Sequence, residues 1–376
     1  MADTLEMNQE LARTLLHVGK EFRIPGLFYS YEEIKTGNVN HTYKVNYLSD
    51  DGSGMAKMKS YIVQRINTVA FTKPDELMTN IDKVTTYIRE KNPGAVALHF
   101  HHTTTGKNYL ADEDGFWRLM NFIPSVTYNT GDDLGVVRST GEAFGEFQMM
   151  LKDFDASQLY FTIPYFHNTR KRYERFQKAV EEDCCGRVAE CGEEIDWLLS
   201  VEEEACKLTD LYYDGKLPLR VTHNDTKINN VLFDAQTRKP LVVVDLDTVM
   251  PGLVGHDFGD AIRFAANFAE EDAEDLTTVG IDLNTFWAFT EGFLSKTAKT
   301  LTENEVDTLG LSCFDITCEL AVRFLTDYLE GDNYFKVKKA KHNLVRTKAQ
   351  IALAKDMLEK MDAMSAVCKE CWRKWQ

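Results

Sequence analysis

Basic charge is in short supply in this chain. Its 43 lysines and arginines face 59 acidic residues, a net charge of −16. That balance argues against nucleic acid or an anionic membrane surface as the main partner. No apolar run approaches the ~20 residues that a membrane-spanning helix needs. The first residues, MADTLEMNQELARTLL, have neither the basic start nor the apolar core of a signal peptide. The eight cysteines are scattered, so they read as reduced thiols of a cytoplasmic protein. Cys368-x-x-Cys371 has no second ligand pair at zinc-finger spacing. Internal repeats, low-complexity linkers and a GxxxxGK[ST] phosphate loop are all missing.

What is present is enough chain, 376 residues, for two domains with a core each. Residues 5–22 read as an amphipathic helix. Strands are expected at Leu27–Lys35, Thr42–Leu48, Ser60–Asn67, His99–Thr104, Asn108–Ala111 and Phe116–Phe122. Between them, Pro74 opens a helix to about Lys91, with Leu77, Ile81, Val84 and Ile88 on one face. From about Gly135 the pattern turns helical: 135–152, 168–182, 192–213, 257–270, 283–299, 303–331 and 335–363. The short strands and loops of 219–250 interrupt it. The layout predicts an α+β, protein-kinase-like bilobal fold. A strand-rich nucleotide-binding lobe (1–122) precedes a mainly helical catalytic and acceptor-binding lobe (123–376), with a hinge near Asn121–Ser125.

The interrupting stretch reads VTHNDTKINNVLFDAQTRKPLVVVDLD over Val221–Asp247. It holds a His-x-Asp-x(4)-Asn run followed by an apolar strand that ends in a carboxylate. Phosphoryl transfer needs a positioned acceptor, a group to take its proton, and magnesium held by hard oxygen donors. Asp225 is the candidate base. Asn230 and Asp245 are the candidate magnesium ligands, and ATP is the implied donor. His223, Asp247 and Asp260 are candidates for supporting them. Asp247 would assist the metal or cap the next turn. Asp260 would bond the catalytic loop at His223 or its backbone. Asp257 sits inside a DFG triplet but follows no apolar strand, so it reads as lying near the N-cap of a helix.

In the strand-rich lobe, Gly37 marks the loop expected over the phosphates. Tyr61, Val63 and Arg65 share one strand face. Val63 and Arg65 match the alternation of a small apolar residue and a phosphate-binding cation. Glu76 and Asp82 are the alternative acidic partners for Arg65. Asn121, Phe122 and Ile123 would present backbone groups to adenine.

The stretch resembles the aminoglycoside phosphotransferase and choline kinase superfamily. Within it, the chain is most similar to the N-acetylhexosamine 1-kinases. The residues that carry this likeness are His223–Asn230, Asp245–Gly252, Tyr61–Asn67, Met120–Ile123, Phe166–Thr169 and Arg323–Asp332. Asn224 stands where these enzymes usually have glycine; Asn tolerates the backbone angles such a site requires. The resemblance implies transfer from ATP, with magnesium, to the anomeric hydroxyl of a hexosamine. It leaves open a hexose, amino alcohol or aminoglycoside acceptor, and a nucleotide-binding pseudokinase. Sugar hydroxyls need fixed hydrogen bonds, for which His167, Asn168, Thr169, Arg323, Asp327, Asp332 and Tyr334 are the candidates. Arg323 and Asp327 are also placed for an ordinary i,i+4 ion pair. Phe286, Trp287 and Phe289 read as core.

Overall fold

A computed structural model describes residues 2–35, 39–50 and 56–376. Gly37 lies outside the described residues. The chain forms two compact units, Met1–Ser125 and Val126–Gln376.

The first unit contains α1 (Ala2–Glu21), β1 (Leu27–Ile34), β2 (His41–Asp50), β3 (Ala56–Arg65), α2 (Pro74–Lys91), β4 (Leu110–Asp112) and β5 (Gly115–Asn121). The strands pair in the order β1-β2-β3-β5-β4, all antiparallel. Strand alternation sends Tyr61 and Val63 into a core with Leu15 and Val18 of α1 and Phe22 just after it. The other face of β3 carries Gln64, which sits opposite Arg118 of β5. The Arg118 guanidinium is buried there, donates to Gln64 Oε1 at 2.8 Å, and approaches Met78 of α2. Helices α1 and α2 therefore pack on opposite faces of the sheet. As expected, Leu77, Ile81, Val84 and Ile88 are the buried face of α2. The strand expected at His99–Thr104 is only an isolated bridge, Phe100 to Met120.

The second unit begins with α3 (Leu134–Met150) and α4 (Thr169–Glu182), followed by α5 (Gly192–Ser200), α6 (Glu202–Ala205) and α7 (Lys207–Tyr213). The last three replace the single helix expected at 192–213. The breaks at Val201 and Cys206 let Leu198, Ala205, Cys206 and Leu208 all reach one core. Four short strands follow: β6 (Arg220–Thr222), β7 (Val231–Phe233), β8 (Pro240–Val243) and β9 (Met250–Gly252). They form two hydrogen-bonded pairs, β6 with β9 and β7 with β8. Then come α8 (Val254–Ala265), α9 (Leu283–Thr297), α10 (Glu303–Asp307), α11 (Leu309–Leu329), α12 (His342–Glu359) and α13 (Met361–Trp375).

Helix α11 is buried along nearly its whole length, as a helix that is apolar on most sides must be. The expected helix from 335 starts only at His342. The Asp327 carboxylate explains the delay, because it takes the amides of Asn333, Tyr334 and Phe335 at 2.8–3.0 Å and holds them out of a helix. Phe286 and Phe289 are core, packed around Phe258, whereas Trp287 is exposed.

Helix α8 crosses α11 at glycine. A Cβ on Gly259 would lie 2.4 Å from the Ser312 carbonyl oxygen, which is backbone and cannot swing aside. Gly259→Ala is expected to destabilise the protein by about 1–3 kcal/mol through overpacking. The urea unfolding midpoint reads this directly. A wild-type midpoint would mean that the two helices do not approach so closely.

Candidate functional site

The catalytic-type loop runs from β6 through Thr222–Asn230 and is clasped by the first turns of α8. Helix α8 begins at Val254 rather than 257, so Asp257 is not an N-cap residue; Leu253 holds that position. Asp257 is buried, and its carboxylate accepts from three donors. These are the His223 amide at 3.0 Å, the Asn224 amide at 2.7 Å and Gln148 Nε2 at 2.8 Å. Burial pushes this carboxyl up, against the pull of the His223 ring and those donors. One turn on, Asp260 Oδ2 accepts from the Thr226 amide at 2.9 Å, and Thr226 Oγ1 donates to the Asp257 carbonyl at 2.6 Å. Asp260 does bond the loop, then, but at Thr226; the backbone of His223 belongs to Asp257.

His223 is fully buried and ties two segments together. Its Nδ1 faces the Asp225 amide at 3.3 Å and its Nε2 faces the Val244 carbonyl at 2.8 Å. Those partners assign the proton to Nε2. Val244 directly precedes Asp245, so one imidazole links the loop of the candidate base to the strand that ends in the candidate metal ligand. Asn224 has φ of 64° and Asp245 has φ of 61°. Such angles cost other L-residues more than Asn and Asp, and they cluster at functional sites. The Asn224 amide group repays its presence by donating to the Thr248 carbonyl at 2.9 Å.

Asp225 Oδ1 lies 2.7 Å from Lys227 Nζ, and its Oδ2 accepts from Asn230 Nδ2 at 3.1 Å. Burial alone would lower the Lys227 ammonium, but Asp225 and Asp260 outweigh it and hold it above its usual value. Asn230 Nδ2 also donates to the Asp225 carbonyl at 2.8 Å, which leaves Oδ1 as the side-chain donor atom that the residue can offer a cation. The Val244 amide donates to the Asn230 carbonyl at 2.8 Å, fixing the register between Asn230 and the exposed Asp245. One carboxylate and one carboxamide fit magnesium, which keeps most of its shell for water and phosphate oxygens. Among the described residues no group of three or more His, Cys, Asp and Glu forms a closed metal cage. Asp247 is buried within the 246–248 turn.

A small cavity of about 210 Å³ opens beside Asp225 and Lys227. His167, Glu319 and Arg323 also line it, with Phe264 and Phe335. Glu319 is buried and meets His167 Nδ1 at 2.6 Å, Arg323 Nη1 at 3.5 Å and Arg172 Nε at 3.7 Å. Burial would raise its carboxyl; His167 and the two arginines prevail and hold it at about 2. Arg323 therefore pairs backward with Glu319, not forward with Asp327. Its guanidinium lies 5.2–5.8 Å from the rings of Phe166, Phe335 and Tyr334.

Several expected acceptor residues do other work. Thr169 is fully buried and donates to Asp315 Oδ1 at 2.6 Å. Asn168 caps α4, and its Nδ2 donates to the Tyr213 hydroxyl at 2.7 Å. Asp327 is spent on the 333–335 amides and Asn343. Asp332 pairs with Arg187 at 2.7 Å and Asn343 at 2.9 Å. Tyr334 is exposed and borders a further cavity with Arg172, Arg175 and Arg323.

In the first unit, Val63 is buried in the α1 core and Arg65 is exposed on that same strand face, its guanidinium 5.8 Å from the Trp117 ring. Helix α2 lies on the opposite face, so neither Glu76 nor Asp82 meets Arg65. Glu76 pairs with Lys73 at 2.9 Å, and Asp82 lies 3.4 Å from His102. The buried cation beside α2 is Arg118. The amides of Asn121 and Phe122 already donate to the His99 and Ser60 carbonyls, at 3.2 and 3.4 Å. Ile123 accepts through its carbonyl from Ser125 Oγ at 2.9 Å.

Sequence reasoning assigned no role to Lys227, Glu319 or Arg118. Lys227 lies inside the catalytic-type run, and Glu319 sits four residues before Arg323, so both had a signal. Arg118 had none beyond a charge in an apolar strand.

Asp257→Asn turns an acceptor facing three donors into a group with its own N–H to place. It is expected to cost about 1–3 kcal/mol. Hydrogen exchange of the His223 and Asn224 amides should quicken, and unchanged protection would show that the loop is held elsewhere. Glu319 generates a pH dependence. Its folded value near 2 lies below the ordinary 4.5, so the unfolded chain binds the proton more readily and stability falls as pH drops through that window. Glu319→Gln should flatten the acid limb of the urea midpoint. An unaltered limb would assign acid lability to other groups.

The sequence pattern of the phosphotransferase enzyme family (APH) matches residues 30–291. Solved structures share the fold at low identity. An aminoglycoside phosphotransferase from Alicyclobacillus acidocaldarius superposes with a TM-score of 0.59 at 12% identity, covering 96% of each chain. A microcompartment-associated aminopropanol kinase gives 0.55 at 12%, covering 89% of this chain and 93% of its own. Plasmodium vivax ethanolamine kinase gives 0.53 at 13%, covering 86% and 82%. The fold is the protein-kinase-like α+β arrangement that the order of strands and helices predicts. A catalytic-type loop clasped by α8, an Asp at the end of an apolar strand and a family pattern over most of the chain lead to one conclusion: the chain belongs to the phosphotransferase enzyme family.

Proposed function

We propose that the protein transfers the γ-phosphoryl group of ATP to the anomeric hydroxyl of an N-acetylhexosamine, giving the sugar 1-phosphate. The observation that carries this reading is the small cavity at Asp225. It brings the candidate base together with hydrogen-bonding groups and four phenylalanine rings, Phe166, Phe264, Phe324 and Phe335. Such walls suit a small polyol with one apolar face.

The charge pairing supports a neutral acceptor over an amino alcohol. Three other carboxylates border the cavity, but each has its cation already. Glu319 has His167, Arg172 and Arg323. Asp260 and Glu271 share Arg263, at 3.0 Å each. An ammonium acceptor would find little uncompensated negative charge there, since Asp225 too has a cation, Lys227, at 2.7 Å. The hexosamine itself is supported by the likeness of the 223–230 and 245–252 segments to the sugar 1-kinases.

In this reading Asp225 receives the proton of the acceptor hydroxyl, and Asn230 and Lys227 fix its two oxygens so that the acceptor meets the phosphoryl group in line. Asn230 Oδ1 and Asp245 would hold magnesium, which when bound neutralises phosphate charge. Arg323, set among Phe166, Tyr334 and Phe335, would orient sugar hydroxyls with His167. Nucleotide binding is assigned to the first unit, where Arg118 with Gln64 is a better-buried cation site than Arg65.

Phosphorus NMR with ATP, magnesium and a panel of N-acetylglucosamine, N-acetylgalactosamine, glucose, galactose, choline and kanamycin tests the reading. An anomeric sugar phosphate is expected with the N-acetylated sugars. Asp225→Asn should lower its rate by about 10²–10⁴-fold. Product from choline or kanamycin alone would overturn the substrate, and full turnover by the variant would overturn the base.

A further inference from the structure

Of the eight cysteines, six are buried, and Cys184 and Cys185 are exposed. Cys368-x-x-Cys371 is among the buried ones, and burial pushes both of its thiols up. The thiol pair that solvent reaches is the vicinal one, with its two Sγ atoms 3.8 Å apart.

A fixed turn presents that pair. Helix α4 ends at Glu182, and Asp183 caps it at φ of 36°. The Asp183 carboxylate accepts from the Arg187 amide at 2.7 Å and the Val188 amide at 3.1 Å, which closes a loop around the two cysteines. Arg187 reaches across to the end of α11, donating to the Tyr328 carbonyl and to Asp332 Oδ2, each at 2.7 Å. Cys184 Sγ donates to the Leu329 carbonyl at 3.4 Å. Cys185 Sγ lies 3.4 Å from the place that a Cβ would take on Gly331. Both sulfurs therefore rest against the turn that closes α11. That turn leads on to Phe335, which lines the cavity at Asp225.

Geometry decides what chemistry the pair can do. Adjacent α-carbons are about 3.8 Å apart, whereas those of a disulfide usually stand at least about 4.4 Å apart. A direct sulfur–sulfur bond is disfavoured here, while one atom bonded to both sulfurs leaves them apart. Structural zinc needs four ligands, and among the described residues no group of three or more His, Cys, Asp and Glu could hold a metal ion. Two soft sulfurs without a third donor suit a thiophilic centre that brings its own third substituent. Contact with Cys185 raises the Cys184 thiol above its ordinary value, so a reagent that needs a thiolate at that one sulfur gains nothing. A chelating reagent draws instead on the second thiol held beside the first.

We propose that Cys184 and Cys185 form a dithiol site for trivalent arsenicals, and that ligation there loosens the turn after α11. An organoarsenic oxide, R–As=O, forms two As–S bonds as both S–H bonds and the As=O bond break. The two protons leave with the oxygen as water, arsenic stays trivalent, and no oxidant is required. The Cys184 S–H that served the Leu329 carbonyl is consumed.

The test treats the full chain with phenylarsine oxide and reads intact mass. Wild type should gain one phenylarsenic group per chain, keep it in excess 2-mercaptoethanol and release it to 2,3-dimercaptopropanol. Peptide mapping should place the group on the segment that holds Cys184 and Cys185; a group on other cysteines overturns the site. Cys184→Ser and Cys185→Ser each retain one thiol and should hold the reagent roughly 10²-fold or more weakly, the loss expected when a second attachment is removed. Undiminished retention by either variant also overturns the site. Hydrogen exchange reads the coupling at the Gly331 and Asp332 amides, which donate to the Tyr328 and Asp327 carbonyls. On ligation of wild type their exchange should quicken about threefold, the scale of one weak hydrogen bond. Unchanged protection in the ligated protein overturns the coupling.

Discussion

One carboxylate organises this site. Asp257, in the first turn of α8, takes two consecutive loop amides and the Gln148 side chain. Backbone N–H groups buried away from water must find acceptors, and here the acceptor sits on a rigid helix rather than within the loop. That choice fixes the path of the chain through His223 and Asn224, and with it the placement of Asp225. Asp260 repeats the device one turn later at Thr226. Because α8 packs on α11 through Gly255 and Gly259, the loop is referenced to a helix buried along nearly its whole length.

A second arrangement governs charge. Glu319 lines the cavity at Asp225 with an imidazole and two guanidinium groups around it. A lone carboxylate in that position would cost several kcal/mol; surrounded, it becomes an anchor that aims Arg323 and His167 into the cavity. The cations and carboxylates of the wall answer one another, so the wall presents mostly paired charge beside its aromatic faces.

Departures from sequence-based expectation share a cause. Asp327 and Asp332 carry the residue types of a sugar site, yet they close the turn after α11 through backbone amides, Asn343 and Arg187. Thr169 reads as a polar contact but lies on the buried face of α4. Arg65 follows the right alternation on its strand, but α1 and α2 cover opposite faces of the sheet, and only the face bearing Gln64 and Arg118 meets α2. In each case a local pattern identified a polar residue, and the packing of the surrounding elements decided what it meets.

The sequence by itself determined the reaction class and the order of the elements. His223, Asp225, Asn230 and Asp245 lie within 23 residues, and chemistry written at short range is legible as spacing. Apolar periodicity did the same for α2, whose buried face repeats every three to four residues. Tertiary structure alone decided which face of β3 meets α2, which carboxylate holds the loop, and that His167 and Arg172 join Glu319. Those outcomes depend on groups more than 30 and up to about 150 residues apart, such as Asp257 with Asn224 and His167 with Glu319. Nothing in local periodicity encodes such pairings, because burial and hydrogen-bond satisfaction are settled only when distant elements pack together.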